Sequence, residues 1–177
     1  MSGQNEWIAA AVTAMGRGGA EAIRVEALAR DLGLTKGSFY WHFKDRPSLL
    51  EAVLSSWEQK SREALAASAA HTTAEERTMA LFRSLAPSSG GVADADVFAW
   101  AHRERAVAER VAAVERERIA FLKQQLADMG ASLLDAHRRA EASYLAAAAW
   151  LERAGRTPWM KSDYGAFIGD VIKLLLR

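Results

Sequence analysis

Apolar and polar residues alternate with a helical period along almost the whole chain. Trp7, Ile8, Ala11, Val12 and Met15 fall on an i, i+1, i+4, i+5, i+8 stripe, which predicts an amphipathic helix. Gly16-Arg17-Gly18-Gly19 supplies its stop. Val25, Leu28, Ala29 and Leu32 predict a second helix ended by Gly33, after which Leu34 folds back and Thr35 caps a third. A fourth opens at Asp45-Arg46-Pro47, where a first-turn proline is tolerated, and carries Leu49, Leu50, Val53, Leu54 and Trp57. Met79, Phe82 and Leu85 mark a helix ending at Pro87, and Asp94 opens one holding Val97, Phe98, Trp100 and Ala101. A long helix follows with Val107, Val111, Val114, Phe121, Leu122, Leu126 and Met129 at helical spacing, ended by Gly130. Residues 134–151 and 164–176 complete the set, with PSSGG (87–91) and GRTPW (155–159) as breaks.

No segment sustains a two-residue alternation, so the fold is all-α with about nine helices. Leu32 to Thr35 joins two of them in the order helix, glycine, apolar residue, N-cap, helix, which is the sequence form of a helix-turn-helix. The expected division is a helix-turn-helix domain over residues 1–46, with its motif at 24–43, and a helical body over 47–177.

The chain of 177 residues carries a formal charge of only +1, so positive charge that meets an acidic partner must be local. There is no cysteine, which removes thiol nucleophiles, thiolate zinc sites and disulfides and suits a reducing compartment. The opening MSGQNEWIAAAV lacks a basic, apolar leader, and no apolar run reaches the roughly 18–20 residues that cross a bilayer. A cytoplasmic protein with no membrane partner is expected.

The stretch TKGSFYWHFKD, Thr35 to Asp45, puts four aromatic rings into five positions. At about 100° per residue, Phe39 and Phe43 share one side and belong to the core. Lys36, Gly37, Tyr40, Trp41 and Lys44 spread over another arc that is small at its start, aromatic in the middle and basic at the edge. That arc suits DNA. Gly37 admits close backbone approach, Tyr40 donates to phosphate, Trp41 offers an apolar face, and Lys36, Lys44 and the flanking His42 reach phosphate.

Residues 24–43, RVEALARDLGLTKGSFYWHF, with the extension KDRPSLLEAVL, resemble the DNA-binding segment of the TetR family of bacterial transcriptional regulators. Ala29, Gly33, Gly37, Tyr40, His42, Phe43 and Leu49 carry the resemblance, which covers roughly the first 55 residues. It implies that Thr35, Lys36, Gly37 and Ser38 approach base edges and phosphate. Tyr40, Trp41 and His42 hold the backbone and groove wall, Lys44 contacts phosphate, and Arg46 stands where the family commonly has a basic residue. Arg24 departs from the family's usual threonine or serine, keeping charge but not the cap. The N-terminal arm has Glu6 and no basic residue, so an arm in the minor groove is not expected.

The resemblance further implies a C-terminal part that dimerises and binds a small effector, with a repressor the commoner outcome and an activator or constitutive regulator the alternative. No cofactor is expected. The expected dimer surface is Ala147, Ala148, Leu151, Tyr164, Phe167, Ile168, Val171, Ile172 and Leu175, on two helices too apolar for one neighbour to cover. The expected pocket for an apolar or aromatic effector draws on Trp57, Phe82, Phe98, Trp100, His102, Phe121, Tyr144 and Trp150. The charged stretch HRERAVAERVAAVERERI reads as a solvated face. Two rivals stand beside the regulator. No nucleophile triad, HExxH, phosphate loop or carboxylate pair supports an enzyme, and His71, His102 and His137 lie on different predicted elements, so no metal site is expected. A helical dimer that does not bind DNA is the other.

Overall fold

The computed structural model describes residues 3–86, 93–154 and 164–175. The expected breaks at PSSGG and GRTPW lie outside the described residues. Among those described are nine α-helices and no strand: α1 (Gln4–Gly18), α2 (Val25–Asp31), α3 (Lys36–Tyr40), α4 (Arg46–Ala69), α5 (Ala74–Ser84), α6 (Asp94–Ala101), α7 (Arg105–Asp128), α8 (Leu133–Ala154) and α9 (Tyr164–Leu175). A 3-10 turn at Ala20–Ala22, absent from the periodicity, joins α1 to α2.

The helix ends are built by the residues that predicted them. Gly19, at φ +69°, closes α1 with its N–H on Met15 O. After α2, Gly33 sits at φ +66°. Its N–H donates to Arg30 O, and Leu34 N–H donates to Ala29 O at 2.8 Å. This paired return of the chain satisfies the last carbonyls of α2 and turns the backbone sharply into α3. Asp45 caps α4 by accepting from Ser48 N–H at 2.8 Å while Ser48 Oγ accepts from Asp45 N–H. Thr73 and Glu76 form the same reciprocal box at α5.

Two apolar cores result. The first gathers Trp7, Met15, Ile23, Leu28, Phe39, Phe43, Leu49 and Trp57 with Val97, Phe98 and Trp100 of α6 and Val107, Val111 and Val114 of α7. The second holds Leu81 and Phe82 of α5, Leu122 and Leu126 of α7, Tyr144 and Ala147 of α8, and Ile168 and Ile172 of α9. α7 contributes to both, and α4 does too, with Leu65 packed on the second core.

The seam between the cores is polar. Arg118 of α7 is 4% exposed. It donates to Asp94 Oδ2 at 3.1 Å, Tyr144 Oη at 3.2 Å and Ser61 Oγ at 3.0 Å. Trp57 Nε1 donates to Asp94 Oδ1 at 2.6 Å. Arg118 was expected on a solvated face. It lies inside because it occupies the apolar stripe Val107, Val111, Val114, Arg118, Leu122, where Asp94 compensates its charge. Burial opposes the guanidinium's charge, yet Asp94 and the Tyr144 hydroxyl hold its pKa above the usual arginine range. Burial is also what pushes the Tyr144 phenol up to about 12.

The expected dimer residues are corrected by the same packing. Ala147, Leu151, Tyr164, Ile168, Ile172 and Leu175 are buried in the chain's own second core. Ala148, Phe167 and Val171 are half-buried against the cores. α8 and α9 cover one another: Trp150 packs on Tyr164 and Phe167, Tyr164 Oη donates to Phe82 O, and Arg139 donates to Leu175 O. The apolar side chains left outward on these helices are Leu133, Leu134, Leu145 and Leu174.

Candidate nucleic-acid interface

α3 is a short helix whose start is capped internally: Thr35 Oγ1 accepts from Ser38 N–H at 3.2 Å. The backbone then turns through Trp41 and His42, and Phe43 N–H still donates to Phe39 O at 2.9 Å. This continuation keeps Phe43 beside Phe39, their rings stacked at 5.5 Å, while Trp7 meets Phe39 edge-on at 5.3 Å. Phe39 is 0% exposed and Phe43 4%. Each such burial contributes about 1.5–3 kcal/mol relative to an exposed ring.

The other side of the same segment is open. Tyr40 is 62% exposed and Trp41 88%. Neither hydroxyl nor indole N–H has a partner among the described residues. Large aromatics left in water cost solvation that the fold itself does not require, so a partner surface is the physical use for them. Gly37 supports this placement: a Cβ there would meet only Thr35 Oγ1, at 3.6 Å, an ordinary contact. Nothing inside the chain demands glycine at that position.

The cations divide. Arg24 and Lys44 are exposed and make no side-chain hydrogen bond or ion pair with a described residue. Arg24 sits at the N-cap of α2 without capping it, as its side chain dictates. Lys36 Nζ, expected on an arc without acid, pairs with Glu26 Oε1 of α2 at 2.7 Å. That exposed pair is weak and exchangeable. Arg46 is different: Nε donates to Ile23 O and Nη2 to Ala20 O, both at 2.6 Å. Expected among the DNA-binding residues, Arg46 is instead a bracket that ties α4 to the loop entering α2. Ser38 and His42 are half-buried at the edges of the open face.

Among the described clefts, none gathers the expected pocket residues together. Trp57, Phe98 and Trp100 lie in the first core; Phe82 and Tyr144 lie in the second, with Phe121 and Trp150 packed on it. Of the eight, Phe98 and His102 alone meet in one described cleft, between α6, α7 and α8. Sequence reasoning missed Asp94, Glu115 and Arg118. A cation on an apolar stripe was the available signal for Arg118. Among the described residues no group of histidines and acids is placed to hold a metal, and no helix is long and apolar enough to cross a membrane.

The family description "Bacterial regulatory proteins, tetR family" matches residues 8–53. No curated protein matches the sequence. Three solved structures share the whole-chain fold. A structure from Rhodococcus sp., described as a TetR-family transcriptional regulator, is 22% identical with TM-score 0.66, over 99% of this chain and 96% of that one. The transcriptional regulator FadR from Bacillus subtilis, solved with stearoyl-CoA, is 17% identical with TM-score 0.68 over 97% of both chains. The fatty acid degradation regulator FadR from Bacillus halodurans is 18% identical with TM-score 0.73, over 99% of this chain and 96% of that one. At these identities the likeness establishes the fold. Residues 8–53 thus match the head of the bacterial regulatory proteins of the tetR family, and the chain as a whole shares the fold of these solved regulators.

Proposed function

We propose that the chain is a homodimeric repressor that binds a palindromic operator through α3 and releases it when a small molecule enters the body. Residues 1–46 act as the reading head, and residues 47–177 carry dimerisation and effector binding. The observation that carries the reading is the division of the Phe39–Phe43 segment into a buried pair and an open Tyr40–Trp41 pair. Tyr40, Trp41 and His42 lie along the groove wall, Thr35 to Ser38 face base edges, and Arg24, Lys36 and Lys44 meet phosphates.

One head contacts few bases, so two heads on half-sites about one helical turn apart gain affinity and specificity together. The outward side of the α8–α9 pair, with Ala142, Phe167, Val171 and Leu174, is the dimer surface this reading uses. Release requires an effector that prefers a dimer with its heads wrongly spaced, a coupling typically of about 1–3 kcal/mol. α4 links head to body, running from Asp45 to the Trp57–Asp94 contact.

The test is a mobility-shift assay on DNA selected from a random pool. Binding that weakens steeply with salt is expected. A folded dimer that shows no salt-sensitive DNA binding would favour the non-binding rival instead.

A further inference from the structure

We propose that the cleft between α6, α7 and α8 binds an organic cation, an ammonium or phosphonium centre carried on an apolar body. The site stands on its own geometry, while its consequence for DNA binding rests on the ligand-release reading above. The cleft measures about 360 Å³, inside the range of roughly 300–1,000 Å³ that small-molecule pockets occupy. Phe98, Val111, Leu145 and Ala148 form its apolar walls. Its titratable side chains are Glu115, Glu152 and His102; no lysine or arginine lines it.

Glu115 is the informative group. It is half-buried and makes no hydrogen bond or ion pair among the described residues. Burial pushes its carboxyl up from the ordinary value, with Asp94 and Glu152 adding to the rise and Arg118 opposing it. Glu152 is engaged by His102 Nε2 at 2.9 Å. An anion entering the cleft would face two carboxylates, and a neutral guest would leave Glu115 further desolvated without a partner. A cation removes that cost, and the apolar walls take up its body.

α6 is placed to pass the event on. Phe98 and His102 line the cleft, while Val97 and Trp100 pack in the core shared with Trp7 and Phe39. Arg103, next along, pairs with Glu21 of the 3-10 turn before α2. A guest that parts α6 from α8 therefore acts on the support of the reading head.

The experiment titrates the full chain calorimetrically with tetraphenylphosphonium and with its shape-matched anion tetraphenylborate. The cation is expected to bind and the anion not, with Glu115→Gln weakening the cation about tenfold and Leu145→Trp, which fills the cleft from an exposed position, weakening it too. Equal binding of both ions, or cation affinity unchanged by Glu115→Gln, would overturn the assignment. Sedimentation is run on both variants, and loss of the dimer would make the cleft a contact between copies and also overturn it. DNA affinity is read in parallel. Cation binding that leaves DNA affinity unchanged supports the site and sinks only the release reading; absent cation binding by a chain that still binds DNA sinks only the site.

Discussion

The turn at residues 39–43 and the seam around Arg118 place side chains against their usual preferences, in opposite directions. In the turn, two large rings stand in water while two others anchor the segment. At the seam, an ion pair is taken out of water and held by Trp57, Ser61 and Tyr144. The exposed pair of the first arrangement contributes little to folding, whereas its buried pair anchors the segment. The second is indispensable to the body once formed, because an ion left alone there has no water to turn to. Substitutions of Tyr40 or Trp41 therefore probe function with the fold intact, whereas substitutions at the seam probe the fold first.

Arg118→Ala should have the largest effect, costing about 3–5 kcal/mol by leaving Asp94 buried and unpaired. Urea unfolding followed by circular dichroism measures it, and a loss below about 1 kcal/mol would mean that the seam is wetter than its burial indicates. Arg46→Ala comes next. Removing both donors from the Ala20 and Ile23 carbonyls should cost about 1–3 kcal/mol, with the salt dependence of DNA binding unchanged. A flatter salt slope without loss of stability would return Arg46 to the DNA-binding residues.

Lys44→Ala should leave stability within about 0.5 kcal/mol. It should weaken binding to all DNA sequences alike and reduce the salt slope by about one. An unchanged slope removes Lys44 from the phosphate contacts and narrows the basic edge to Arg24 and Lys36. The smallest effect belongs to Glu115→Gln, a slight gain in stability. Because the folded carboxyl titrates above its ordinary 4.5, the native glutamate is relatively favourable below that pH and becomes a burden as pH rises through the raised value. The glutamine variant's advantage should therefore be absent near pH 4 and grow as pH rises from the ordinary carboxylate value to the raised one, as thermal melts would show.

What was legible in the sequence was local. Gly33, Leu34 and Thr35 predicted the α2–α3 turn because each has one backbone task that its side chain, or lack of one, performs. Phe39 and Phe43 predicted their own burial through a four-residue spacing, although the helix ends at Tyr40 and the following turn maintains the pairing. What was not legible depends on partners distant in sequence. Glu26 reaches Lys36 from α2, and Arg46 reaches back more than twenty residues to Ala20 and Ile23. Asp94 meets Arg118 across two helices, so neither charge announces its burial by itself. Six of the expected dimer residues turned inward for a related reason: the apolar girth of α9 is covered by α5 and α8, contacts that no periodicity within α9 contains.

The account turns on the open aromatic pair, and Tyr40→Ala tests it most directly through paired measurements of the urea midpoint and the affinity for selected operator DNA. The account predicts an unfolding free energy within about 1 kcal/mol of the native chain and operator affinity reduced at least tenfold, about 1.4 kcal/mol or more. Native operator affinity in a folded Tyr40→Ala dimer, or unfolding in place of lost binding, would contradict it.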